Sequence, residues 1–140
     1  MSGDLNEAVV RRFYEEFWNE WRLDIAPEIV AVDVRFRGSL GSDLVGREQL
    51  LRYVEQVRNA FPDWHNRIDE IIVSGNRVVT RMTWTGTHRG SLANFPPTGA
   101  HVEYCGAALF RLAKDMIEEA WVVGDTQELW RALGKLDVQP

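Results

Sequence analysis

Only one cysteine, Cys105, is present in the 140-residue chain, so no internal disulfide can form, and neither a Cys-x-x-Cys pair nor a His/Cys cluster at metal-ligand spacing occurs. A reducing, cytoplasmic setting and a chain without metal are the expectations. No apolar run approaches the ~20 residues that a membrane span requires, and the opening Met-Ser-Gly-Asp-Leu-Asn-Glu is polar and acidic, so neither membrane insertion nor secretion is expected. Basic runs and stripes are missing too. The 16 Lys and Arg against 21 Asp and Glu give a net charge of −5, which speaks against nucleic acid as a partner. A glycine-rich phosphate loop, a His-Glu-x-x-His pair and a nucleophile elbow are all lacking, so the expected chemistry needs no cofactor. There is no repeat, linker or low-complexity tract, and residues 1–140 read as a single domain.

Hydrophobic residues make up 45% of the chain and include six Trp and six Phe, enough for a sizeable core with aromatic surface left for a cavity. Leu5, Val9, Phe13 and Phe17 recur at four-residue steps, with Val10, Tyr14 and Trp18 beside them, predicting an amphipathic helix over 4–21 in which Asp4 and Glu7 resemble a capping arrangement. A short helix is predicted over 24–32, with Asp24 as cap and Pro27 in the first turn. The alternation at 34–37 predicts a strand running into a Gly/Ser-rich loop at 38–42 that borders a pocket. Leu50, Leu51, Val54 and Val57 then predict a helix over 46–60, ended by Phe61-Pro62-Asp63.

Beyond Trp64 the hydrophobic period falls from about four to two, predicting antiparallel strands over 65–74, 77–88, 101–112 and 116–124. Gly75-Asn76 and Lys114-Asp115 are the predicted hairpin turns, and a short helix is predicted over 125–134 with Gly134 as its C-cap. Helices first and a meandering sheet afterwards imply an α+β fold, with the helices covering one face of the sheet.

Gly86-Thr87-His88-Arg89-Gly90, Phe95-Pro96-Pro97-Thr98-Gly99 and Ile117-Glu118-Glu119-Ala120-Trp121 with Asp125 four residues on, preceded by Phe61-Pro62-Asp63-Trp64, form an ordered set. In this order and spacing the chain resembles the SnoaL-like polyketide cyclase, or ester cyclase, branch of the NTF2-like superfamily, from about Val9 to Gly134. The resemblance implies a cone: three N-terminal helices packed on a curved antiparallel sheet around an apolar pocket. It also implies a homodimer joined through the sheet's outer face. One departure is visible, since relatives often carry Asp-Gly-Lys at the last hairpin where this chain has Ala113-Lys114-Asp115-Met116. The superfamily houses cyclases, steroid isomerases, epoxide hydrolases and proteins that only bind ligands, so the fold alone does not name the reaction.

By the two-residue period, Asp125 shares a strand face with Ile117, Glu119, Trp121 and Val123. A carboxylate against an apolar wall has its proton affinity raised by desolvation, as a general base working near neutrality requires. The resemblance assigns the acid/base role to Asp125; the residues alone leave open that it caps the following helix. His88, at the end of a strand, is open to two readings, donor to an enolate oxygen or fastener of the loop at 90–99, which itself reads as a hinged lid or a rigid crossover. Tyr14, Phe17, Trp18, Met82, Trp84 and Trp121 are the expected pocket walls, and Glu119 is either pocket-lining or paired with Arg81 or Arg111. His65 and His101 read as solvated, and Cys105 as a small strand residue.

The leading expectation is a cofactor-independent cyclase or isomerase acting on a hydrophobic, carbonyl-rich small molecule. Asp125 would take a C–H proton, and the enolate would attack a second carbonyl in an aldol-type closure. A ligand-binding protein without turnover and an epoxide hydrolase or epoxide-opening cyclase are the competing expectations.

Overall fold

A computed structural model describes residues 2–92 and 95–134, so positions 93 and 94 of the expected lid and the last six residues lie outside it. Helix α1 spans Ser2–Arg12 and runs on as a π-helical segment, Phe13–Trp18. It begins before Asp4, which therefore sits in its first turn and not at its cap; Glu7 pairs with Arg11 at 2.9 Å. The wide turn is marked by the Asn19 N–H donating to the Tyr14 carbonyl at 2.9 Å, and all four aromatic rings of the segment are buried. Leu5, by contrast, is exposed.

A 3₁₀ turn at Leu23–Ile25 leads into α2, Ala26–Ile29, which is shorter than the predicted 24–32. Val30 leaves the helix because it pairs with Ile117, and strand β1 runs from Val30 to Arg37. The β-branched residues at 30, 32 and 34 suit that extended state. A three-residue strand β2, Asp43–Val45, follows the 38–42 loop and was not legible from periodicity. Helix α3, Arg47–Ala60, buries Leu50, Val54 and Val57.

Strands β3 (His65–Ser74), β4 (Arg77–Thr87), β5 (His101–Ala113) and β6 (Met116–Gly124) agree with the predicted meander to within a residue. Helix α4, Thr126–Ala132, follows. The sheet is six-stranded in the order β2-β1-β6-β5-β4-β3, antiparallel throughout except for β1, which lies parallel to β6. That parallel pairing departs from the expected all-antiparallel sheet. It follows from β1 reaching its partner through α3 and the meander, a crossover that a hairpin cannot provide.

The sheet curves without closing, and its concave face is covered by α1 with its π extension, by α3 and by α4. Phe13, Phe17 and Phe110 are fully buried where α1 meets the sheet, each contributing about 1.5–3 kcal/mol of transfer free energy. Among the described residues, no helix is long and apolar enough to cross a membrane.

Candidate functional site

The open end of the cone holds a cavity of about 50 Å³. Its walls are aromatic: Phe13, Tyr14 and Trp18 from the π segment, Phe36 from β1, Tyr53 from α3, and Trp84 and Tyr104 from the sheet. Gly38, Ser39 and Leu40 form one lip, Leu92 and Leu129 another, and Val122 closes the side towards β6. Trp84 fits where it does because the neighbouring strands carry glycine. A Cβ on Gly106 would lie 2.6 Å from its indole, and one on Gly124 would lie 3.1 Å away. Those two glycines face each other across β5 and β6.

Leu40, Tyr53, Val57 and Leu92 line the cavity on one side and, on the other, an outer groove of about 490 Å³. The groove is completed by Ser42, Gln56, Asn59, Ser91 and Trp130.

Among the described residues, the polar groups on the cavity wall are few and neutral. The Tyr104 hydroxyl and Ser39 Oγ are hydrogen-bonded at 3.1 Å. Burial pushes the Tyr104 hydroxyl up to about 12, against a smaller opposing effect of Ser39. Burial likewise raises Tyr14, opposed in part by the Thr80 hydroxyl, and Tyr53, aided by Tyr104. All three stay protonated near neutrality and are standing hydrogen-bond donors. Asn66 is already engaged: its N–H and side-chain amide both donate to Asn19 Oδ1, at 2.8 and 3.0 Å.

Of the expected pocket residues, Tyr14, Trp18 and Trp84 line the cavity, whereas Phe17 and Met82 are fully buried in the core. Glu119, Trp121 and Asp125 are not on its wall. The expectation that residues 117 to 125 share one face fails at a bulge: Arg111 pairs with Glu119 but Leu112 pairs with Ile117, leaving an extra residue on β6. Beyond it the parity reverses, so Ala120 and Val122 turn inward while Trp121, 51% exposed, and Val123 turn outward. Asp125 follows them to the exposed side.

The Asp125 carboxylate makes no cap bond to α4 either; its backbone N–H donates to the Cys105 carbonyl at 2.8 Å and extends the β5–β6 ladder. The ion pairs also differ from expectation, since Arg111 bonds Glu118 at 2.6 Å, and Arg81 bonds Glu70 at 3.3 Å.

His88 is completely buried but does not line the cavity. The Thr98 N–H donates to its Nδ1 at 3.2 Å, with the Thr98 hydroxyl 3.0 Å from the same nitrogen, and its ring lies against Phe61. An Nδ1 that accepts places the proton of the neutral ring on Nε2. His88 is thus a fastener of the loop after β4. The Asp63 carboxylate clasps the same strand end, accepting from the Thr87 N–H and hydroxyl at 2.7 Å each. Burial alone would raise Asp63, but these two bonds together with its own backbone N–H and the nearby His101 outweigh it, so its carboxyl sits below the usual range.

The 38–42 loop borders the cavity as expected, through Gly38, Ser39 and Leu40, whereas Tyr53, Tyr104, Trp64 and Phe36 were missed by sequence reasoning. For Tyr104 a signal existed: Val102, Tyr104, Ala108 and Phe110 alternate as the buried face of β5. Among the described residues, no three side chains of His, Cys, Asp or Glu converge as a metal site.

A solved structure from Jannaschia sp. CCS1, named as a SnoaL-like polyketide cyclase, superposes with a TM-score of 0.88 at 23% identity, covering 96% of this chain and 95% of the other. AclR of Streptomyces galilaeus, named as a hydroxylase, gives a TM-score of 0.83 at 25% identity, covering 99% and 86%. IdmH of Streptomyces antibioticus, named as a polyketide cyclase, gives 0.79 at 25% identity, covering 92% and 98%. No curated protein matches the chain. The family model described as SnoaL-like polyketide cyclase matches residues 8–133, a span that takes in the whole sheet and every residue lining the cavity, and the chain therefore belongs to the SnoaL-like polyketide cyclase family.

Proposed function

We propose that the protein takes a flat, apolar small molecule bearing a carbonyl oxygen into the cone and promotes its enolisation, the step from which aldol-type cyclisation or isomerisation proceeds. The observation that carries this reading is the set of protonated tyrosines, Tyr14 and Tyr104 buried and Tyr53 half-buried, on a mostly aromatic wall. An enolate oxygen is a stronger acceptor than a ketone oxygen. A fixed, desolvated O–H donor therefore stabilises the transition state more than the ground state. The aromatic walls suit planar rings. IdmH, at 25% identity, is named as a polyketide cyclase, which agrees with carbonyl chemistry.

Asp125 is the family's candidate for the base. It follows Gly124, whose Cβ position lies 3.1 Å from the Tyr104 ring and 3.4 Å from Ser39. Its carboxylate is on the exposed side and off the cavity wall, so its part in the reaction is for the variant below to decide.

The test uses 2-tetralone, whose α-protons exchange through an enolate, followed by NMR in D₂O. Faster exchange with the parent protein, and loss of the acceleration in Asp125→Asn, is the expected result; acceleration undiminished in that variant removes Asp125 from the mechanism.

A second reading, retention of the ligand without turnover, is favoured by the lack of any carboxylate or imidazole on the cavity wall among the described residues. Binding of 2-tetralone with exchange at the solvent rate would select it. The epoxide-opening alternative gains no support, because its paired acids have no counterpart on that wall.

A further inference from the structure

The cavity and the groove outside it differ in kind. The inner space of about 50 Å³ is aromatic, whereas the outer space of about 490 Å³ presents Ser42, Gln56, Asn59 and Ser91. None of these four side chains is hydrogen-bonded to any described residue. Among the described residues no charged side chain lines the groove, in a chain of which 26% is charged. Gln56 and Asn59 stand three residues apart on α3, so both face the same side of the helix. Trp130 supplies a flat wall opposite, braced by an edge-on contact with Phe95 at 5.6 Å.

Leu40, Tyr53, Val57 and Leu92 present a surface to each space, so the groove adjoins the cavity and lies within reach of an appendage on a molecule seated there. A ligand larger than one small ring system cannot be contained by the inner space alone.

We propose that the groove is a second subsite, which takes an uncharged, hydroxyl- or amide-bearing appendage of the ligand while the flat apolar part occupies the cavity. This assignment rests on the reading of the cavity given above and adds to it the class of ligand: an amphiphile with a compact aromatic head and a neutral polar tail. Gln56 and Asn59 are its specificity-determining residues. An anionic tail gains nothing from this lining. A purely hydrocarbon tail would strip water from four polar side chains without replacing their hydrogen bonds.

The experiment compares 2-naphthol with 2-naphthyl β-D-glucopyranoside by isothermal titration calorimetry, against the parent chain and against Gln56→Leu and Asn59→Leu, which keep side-chain size and remove the hydrogen bonds. Both positions are exposed, and thermal melts check that each variant folds like the parent. The expected result is a glucoside affinity about tenfold above that of naphthol in the parent, falling to the naphthol value in the variants, with naphthol itself unaffected. Naphthol binding with the glucoside equal or weaker overturns the subsite and leaves the cavity reading in place. A glucoside advantage that survives both substitutions overturns the assignment to this groove. Absence of binding by either compound overturns the cavity reading and the subsite with it.

Discussion

Ser39 Oγ and the Tyr104 hydroxyl lie 3.1 Å apart, so the loop after β1 is tied to the middle of the sheet at the mouth of the cavity. The bond holds the Tyr104 donor at a fixed point of the wall, which is what stabilisation of a developing enolate requires. Tyr104→Phe removes the donor and keeps the ring against Trp84, 5.1 Å away. Its expected effect on protein-promoted 2-tetralone exchange is a loss of about 10²–10³-fold, the range for a single oxyanion donor. Ser39→Ala leaves the tyrosine O–H in place and is expected to cost about tenfold or less, through looser positioning. Equal losses in the two variants would mean that the bond matters only for holding the loop.

The same tyrosines set the alkaline limit of stability. Burial raises Tyr104 to about 12, above its ordinary value of 10.0, and raises Tyr14 and Tyr53 as well. The folded state therefore holds these protons more tightly than the unfolded chain. The resulting stabilisation is complete below pH ~10 and is lost as pH rises through the folded-state values. Near-ultraviolet circular dichroism and tyrosinate absorbance, recorded together above pH 10, are expected to change in one step, because these three hydroxyls ionise only as the cone opens. Smooth ionisation with an intact fold would show them to be solvated.

How far the architecture could be read beforehand depends on what each element asks of the chain. Strands β4 to β6 were legible because one face of each is largely buried, β3 because its side chains alternate between exposed and half-buried over much of its length, and the first hairpin because Gly75 adopts φ +59° in its turn. The second turn formed where expected although Lys114 and Asp115 both take positive φ without a glycine. The candidate site was less legible. One bulged residue between Ile117 and Glu119 inverts the parity of β6 and carries Trp121 and Asp125 to the exposed side; a period-two rule has no means of detecting it. The loop carrying Ser39 was legible as a pocket border from its Gly/Ser content, whereas Tyr53 reaches the cavity through tertiary packing of α3, which leaves no periodic trace. The stripe of Tyr14 and Trp18 was visible, but Phe17 turned out to belong to the core.

Gly90 is expected to tolerate no side chain. A Cβ there would lie 2.0 Å from the Asn59 carbonyl oxygen, and both the Arg89 and Gly90 N–H groups donate to the Ala60 carbonyl, at 2.9 and 3.1 Å. Gly90→Ala must push this loop off the end of α3, with an expected loss of about 3 kcal/mol or more. Gly99, at φ +74° with open space around its Cβ position, is the control: Gly99→Ala should cost only about 1 kcal/mol for the left-handed backbone. Urea melts of both variants check the difference, and equal losses would refute the close-approach argument.

On the outer face of the sheet Ile72, Val79, Leu109 and Trp121 stand opposite one another on four adjacent strands, and the Arg37 guanidinium lies 4.6 Å from the Trp121 ring centroid. Ile72, Leu109 and Trp121 are each about half exposed, at 56%, 47% and 51%. A continuous apolar row of this kind on a sheet face is what an interface core looks like before it is covered. We propose that a second copy of the chain covers it, the two rows crossing about a two-fold axis so that each Trp121 meets the partner sheet. Sedimentation at micromolar concentration is expected to give twice the 16.1 kDa chain mass, and Leu109→Asp, at an exposed position, to give the single-chain mass with the fold unchanged. A parent protein sedimenting near 16.1 kDa would leave the row without this role, and a Leu109→Asp variant that stays dimeric would move the interface to another face.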